Sequence, residues 1–263
     1  MADGHERRKR ERRDPEARSR GRGRGSRRKG AAGSRGGRRR RDLRGPAAGL
    51  PNFVIEALER VTPPDRVAAA LEALGAASAA LAEGRFHAAY RHGKRAKDLA
   101  PRDATVRETL GLAAYRLGEW ETALRELRTY RRMTGEPDHL PVEMDVLRAL
   151  GRDAEVERSW RELQHRDART SVRREGAVVY ASYLLDAGRA REAWELVAPE
   201  RLVARPSDSE LRTWYVAARA AAALGDAATA RKIADAIVVA DPGFPGIDEL
   251  EREIRRAGGA KTS

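Results

Sequence analysis

The stretch LGLAAYRLGEWETALREL, Leu110 to Leu127, decides how the rest of the chain is read. Its apolar residues recur every three or four positions up to Leu117, break at Gly118, and resume the same period from Trp120. That is one helix, a tight turn, and a second helix running back along the first. Small residues, Gly111 and Ala123, stand where the two backbones must approach, and Trp120 and Leu127 are large enough to fill the space between one hairpin and the next. A glycine at the turn takes φ > 0 without the Cβ clash other residues meet.

The same pattern lies upstream. Gly84/Gly118, Phe86/Trp120 and Ala89/Ala123 each pair at a separation of 34 residues, and Ala96 and Pro101 complete the earlier copy. In Leu99-Ala100-Pro101 the proline ends the second helix. Downstream, Gly151, Gly188 and Gly225 follow at spacings of 33, 37 and 37. The last copy carries Trp214, Gly225, Ala230 and Asp241-Pro242. The two between are less regular: Leu147, Gly151, Val156, Trp160 and Leu163, with Val156 in the small-residue position, then Leu184, Gly188, Ala193 and Val197. The longer spacings predict lengthened loops near residues 166–173 and 202–207. A period of this size marks a helical repeat array. The alternative, an irregular helical domain with accidental glycines, would have to place three residue types at one separation.

Over roughly residues 70–245 this signature resembles the tetratricopeptide repeat (TPR) family, most specifically in the first, second and fifth copies. The resemblance implies an all-α fold, a right-handed α-α superhelix (a solenoid) of about five helix-turn-helix units. The expected organisation is a basic segment over 1–45, a linker and short helix over 46–65, the array over 66–245 and a polar capping helix over 246–258. Phe53, Val54, Ile55 and Leu58 pattern the short helix. Thr62 is expected to cap the next one, with Pro63 at its first position and Asp65 completing a capping-box spacing. The β-branched run Ile237-Val238-Val239 lies inside a helical pattern and is read as helix.

The net charge of +13 arises from 53 Lys+Arg against 40 Asp+Glu. Residues 1–45 hold 19 basic and 6 acidic residues, leaving 34 of each for the remainder, so the charge belongs to this segment alone. It contains one Leu and no Ile, Val, Phe, Tyr or Trp, and is expected to be disordered because it cannot bury enough apolar surface to offset ordering. Arg22, Arg24, Arg27, Arg28, Arg35, Arg38, Arg39, Arg40 and Arg41, interleaved with glycine and without aromatics, suit sequence-independent contacts with nucleic-acid phosphates. A tail that only aids solubility is the plainer alternative. The preference for Arg over Lys, 47 to 6, suggests a high-GC bacterial genome, actinobacterial in character.

There is no cysteine, which excludes disulfides, zinc–thiolate sites and thiol catalysis and fits a reducing, cytoplasmic setting. No run approaches the ~20 apolar residues of a membrane span, and no apolar segment follows the basic start, so neither a membrane partner nor a secretory signal is expected. Gly93-Lys94 is followed by Arg95 and forms no phosphate-binding loop. The histidines His5, His87, His92, His139 and His165 show no metal spacing. With Ser and His scattered, no catalytic constellation forms; the chain is expected to be no enzyme and to bind no cofactor.

The family resemblance implies that the first helix of each unit lines a concave groove for an extended peptide or a helix. The residues carried onto that groove are Leu74 and Ser78 from the first unit, and Glu108, Leu112, Tyr115 and Arg116 from the second. Asp145 and Arg148 follow from the third, Val178 and Ser182 from the fourth, and Tyr215 and Arg219 from the fifth. A single asparagine, Asn52, lies outside the array, so the Asn/Lys clamp for chaperone carboxylates is not expected. Residues 85–132 carry 12 basic against 6 acidic residues. Of these, Arg91, Lys94, Arg95, Lys97, Arg125, Arg128, Arg131 and Arg132 fall on second helices and read as a solvated face, as do Glu155 to Arg158 and Glu192 to Glu195. The expected role is a non-enzymatic adaptor or scaffold for an unidentified protein or peptide. The alternative is an RNA-, DNA- or ribosome-associated factor anchored by the basic tail.

Overall fold

The computed structural model describes residues 45–259, which are helical throughout, with no strand among them. A 3-10 turn, Gly45–Gly49, precedes α1 (Asn52–Val61), α2 (Pro64–Ala82), α3 (Phe86–Leu99), α4 (Ala104–Arg116), α5 (Trp120–Thr134) and α6 (Leu140–Ala149). There follow α7 (Asp153–His165), α8 (Thr170–Asp186), α9 (Ala190–Val197), α10 (Asp208–Ala223), α11 (Ala227–Ala240) and α12 (Ile247–Gly259). The tail arginines Arg22 to Arg41 lie outside the described residues.

From α2 onward the helices pack in consecutive pairs, α2 on α3 through to α10 on α11, and each second helix also packs on the first helix of the next pair. First helices touch first helices at α2–α4, α6–α8, α8–α10 and α10–α12, whereas the packing of α4 on α6 is sparse. The glycine cadence marks the turn inside each pair: Gly84, Gly118, Gly151, Gly188 and Gly225 all have φ between +65° and +77°. At Gly118 the reason is visible. With this residue left-handed, the Glu119 N–H reaches back to the Ala114 carbonyl at 3.0 Å, satisfying an acceptor that the end of α4 would otherwise leave open. Equivalent bonds close the other four turns, Arg85 to Ala80, Arg152 to Leu147, Arg189 to Leu184 and Asp226 to Ala221.

Alanine-rich α2 and α10 let their neighbours approach closely, and one apolar core runs from Ala114 to Ile254. A second cluster joins Ala47, Leu50, Val54 and Leu58 to α2 and to Ala96, Ala100 and Val106. Gly111 permits the closest approach in the second pair. A Cβ there would lie 2.8 Å from Leu127 Cγ and 3.3 Å from the Leu127 backbone nitrogen.

Three expectations are corrected. Thr62 does not cap α2; it ends α1 in extended backbone, buried, with its hydroxyl unpartnered. Each residue before a proline is held extended, so the Thr62-Pro63-Pro64 run postpones the helix to Pro64 and Pro63 stays outside it. The lengthened loop near 166–173 is also absent. The connection spans only residues 166–169, and the extra residues lengthen α8 to 17 residues against 13 for α4. The second expected loop does form, over residues 198–207, because α9 stops after 8 residues. The third correction concerns charge. Lys97, Arg128 and Arg131 are not a solvated face but hold buried carboxylates.

Those carboxylates are Glu126 and Glu143, both 0 % exposed. Glu126 on α5 accepts from Lys97 Nζ of α3 at 2.6 Å, Arg107 of α4 at 2.6 Å and Arg125 at 3.0 Å. Glu143 on α6 is held by Arg131 of α5 at 3.0 Å, and Arg131 also binds Glu162 of α7 at 2.7 Å. Arg128 continues the series to Glu155 at 2.8 Å. Burial pushes the Glu126 carboxyl up, but the hydrogen bonds from Lys97 and Arg107 outweigh it and hold the group below its ordinary value. At Glu143 burial wins over Arg131 and Arg128, and the carboxyl lies above its ordinary value.

Two predictions follow from packing and charge. Gly111→Ala should destabilise the protein by about 1–3 kcal/mol in urea unfolding despite the better helix propensity of alanine, since Leu127 must shift; a gain in stability would show the approach is not tight. Glu126→Gln should cost about 3 kcal/mol at neutral pH, because it leaves Lys97, Arg107 and Arg125 without their shared carboxylate at a buried site, and Glu143→Gln should cost less. The signs also differ with pH. The advantage of wild type over Glu126→Gln is present above the unfolded carboxyl pKa of about 4.3 and shrinks as pH falls below it. That of wild type over Glu143→Gln grows on acidification towards the same region. Parallel pH–stability curves for the two variants would contradict this assignment.

Candidate binding face on the first helices

The first helices α4, α6, α8 and α10, with α12 after them, carry a row of half-buried polar side chains. Their 3.6-residue period turns one stripe inward to the core and leaves the adjacent stripe at its edge. On α4, Glu108 Oε1 lies 2.7 Å from His139 Nε2, and the edge of Tyr130 meets the His139 ring at 5.2 Å between centroids. Two turns on, the Tyr115 hydroxyl donates to Asp145 Oδ2 of α6 at 2.7 Å. Burial, then the Asp145 charge and hydrogen bond, raise the Tyr115 phenol well above the ordinary tyrosine value.

Arg148 of α6 extends the row in both directions, to Asp145 at 2.9 Å and to Asp186 of α8 at 2.7 Å. Burial opposes its charge, but the two carboxylates prevail and raise its pKa further. Arg219 on α10 pairs with Glu253 on α12 at 3.1 Å, and the Asp186 charge also acts on it. Tyr115, Asp145, Arg148, Asp186, Arg219 and Glu253 thus alternate acceptor and donor across five helices. Beside the last pair is a cleft of about 290 Å³ with an apolar floor of Leu185, Ala222, Ala223 and Ala257 and charged walls of Arg219, Glu253 and Arg256.

The remaining sequence candidates divide. Tyr215 packs its ring 5.6 Å from Phe244 and donates to the Gly246 carbonyl at 3.4 Å. The Ser182 hydroxyl turns back to the Val178 carbonyl at 2.9 Å, a bond local to α8. Arg116 is exposed and stacks its guanidinium 4.2 Å from the Phe86 ring centre. Ser78 and Leu112 are half-buried on α2 and α4. Leu74 and Val178 are buried and belong to the packing. The structure therefore places all these residues on first helices but ties most of them to a neighbouring pair. His139, Asp186 and Glu253 were missed in the sequence. Their signal is an opposite or complementary group about one repeat away: 31 residues for Glu108 and His139, 38 for Arg148 and Asp186, and 34 for Arg219 and Glu253.

Among the described residues no three His, Cys, Asp or Glu side chains cluster to hold a metal ion, and no helix is long and apolar enough to cross a membrane. If Tyr115 and Asp145 are cross-links, a double-mutant cycle of Tyr115→Phe and Asp145→Asn should give a coupling of about 0.5–2 kcal/mol in unfolding free energy. Strict additivity would remove the bond from the account. No protein-family model matches the chain, and a search of curated proteins finds no match either.

Proposed function

We propose that the chain is a non-enzymatic adaptor, a tetratricopeptide-like right-handed superhelix whose first helices form a groove for a peptide or helix. The observation carrying this reading is the polar row from Glu108 to Glu253. Apart from the exposed Asp186 it lies half-buried on successive first helices and alternates in charge over a length no single helix pair could offer. Such a row fixes the spacing of the face in advance, which lowers the ordering cost of binding. Leu112, Ser78 and the cleft beside Arg219 supply apolar and small positions among the charges. A repeat array with an extended surface suits a partner of extended shape.

The test is selection from a random-peptide library on the full chain. Enriched peptides should bind with Kd in the micromolar range, and their affinity should fall at least tenfold on Leu112→Asp while Arg158→Gln on a second helix leaves it unchanged. Peptides indifferent to Leu112→Asp, or no enrichment above background, would end this reading.

A second reading is supported by the +13 confined to residues 1–45: association with RNA or DNA through the tail, with the helical body as a docking platform. Changing the arginines from Arg22 to Arg41 to serine should then weaken binding of a labelled duplex and flatten its salt dependence. An unchanged salt slope would count against it.

A further inference from the structure

The second helices repeat a feature that neither role of the first helices uses. Counted seven residues from the turn glycine, the first three pairs carry Arg91, Arg125 and Arg158. Counted ten residues, they carry Lys94, Arg128 and Arg161. Positions seven and ten lie on one helix face. In the fourth and fifth pairs the same positions hold Glu195 and Ala198, then Lys232 and Asp235, so the basic rows end with α7. The helices are adjacent, as the bonds Lys97–Glu126 between α3 and α5 and Arg128–Glu155 between α5 and α7 require. Neighbouring helix axes lie roughly 8–10 Å apart, so the rows form a ridge of cations crossing three helices.

Most of this charge is unspent. Arg91, Lys94 and Arg161 are exposed and have no carboxylate partner among the described residues. Arg125 and Arg158 keep 56 % and 61 % of their side chains exposed although each reaches a neighbouring glutamate. Arg128 alone is committed, to Glu155 and Glu143. Meanwhile Glu126 and Asp103, two of the acidic residues that would offset this region, are buried. No Phe, Tyr or Trp of α3, α5 or α7 is exposed, so the ridge has no platform on which unpaired bases could stack.

We propose that this ridge binds the phosphate backbone of a nucleic-acid duplex, independently of base sequence. It goes with the second reading above but draws on the body alone. Lys94 alone has an aromatic neighbour, the half-buried Tyr90 ring 5.7 Å below its ammonium. Exposed guanidinium and ammonium groups with no open ring beside them make phosphate contacts while lacking the means of base readout or single-strand stacking.

The experiment measures binding of a labelled 20-base-pair DNA duplex, and the RNA duplex of the same sequence, to the full chain across a salt series. Arg91→Gln/Arg125→Gln/Arg158→Gln should lower the log–log salt slope by about 2–3 and weaken binding to both duplexes alike. A control triple, Arg66→Gln/Arg201→Gln/Arg252→Gln, removes equal charge from exposed arginines elsewhere and should leave the slope near wild type. Circular dichroism melts check that both variants fold; should the ridge triple melt early, Arg91→Gln/Arg161→Gln, which breaks no ion pair, replaces it. Equal losses in ridge and control variants overturn the ridge as a site. An unchanged ridge variant with binding abolished by the Arg22–Arg41 serine substitutions overturns it too, while leaving the tail reading standing. Displacement of the duplex by polyglutamate but not by a second duplex would assign the ridge to acidic protein and overturn the proposal.

Discussion

A carboxylate fully removed from water must be matched by cations, and at Glu126 they come from α3, α4 and α5. That requirement governs the middle of this molecule. Apolar packing alone is tolerant of sliding, because alanine-rich surfaces offer many similar registers. A buried ion cluster is not, since a displacement that breaks one bond strands a charge at a cost of several kcal/mol. Glu126 and Glu143 therefore fix the second helix pair against the first and the third, while small residues such as Gly111 and Ala123 supply the closeness. The half-buried row on the first helices repeats this logic with gentler stakes, its groups remaining partly solvated.

How much of this was legible depends on range. The glycine turns were plain in the sequence because their requirement is local: a left-handed residue, a bond back over one turn, a small side chain. Helix content was equally plain from the apolar period. The extra residues of the 37-residue spacings were harder. Spacing counts residues without saying whether a helix or a loop absorbs them, and α8 absorbed between the third and fourth turn glycines what the 198–207 loop absorbed between the fourth and fifth. Thr62 has capping chemistry, but two consecutive prolines after it keep the backbone extended and delay the helix to Pro64.

The charges were least legible. Lys97, Arg128 and Arg131 look like any surface cation in a helix that is one-third charged, and their partners lie up to 31 residues away. Only the fold brings them together. The first-helix candidates were placed on the proper elements, but their ties to His139, Asp186 and Glu253 depend on the stacking of consecutive pairs, which spacing suggests and only coordinates specify. The tail candidates rest on composition and stand outside the described residues.

The sparse contact between α4 and α6 has a mechanical meaning. Elsewhere successive first helices pack directly on one another. At this joint α6 is only 10 residues long, and Glu108–His139 and Tyr115–Asp145 bridge the gap by side chains. Between these two first helices the separation is therefore set by hydrogen-bonded side chains, so Glu108, His139, Tyr115 and Asp145 do there what direct helix packing does at the other junctions.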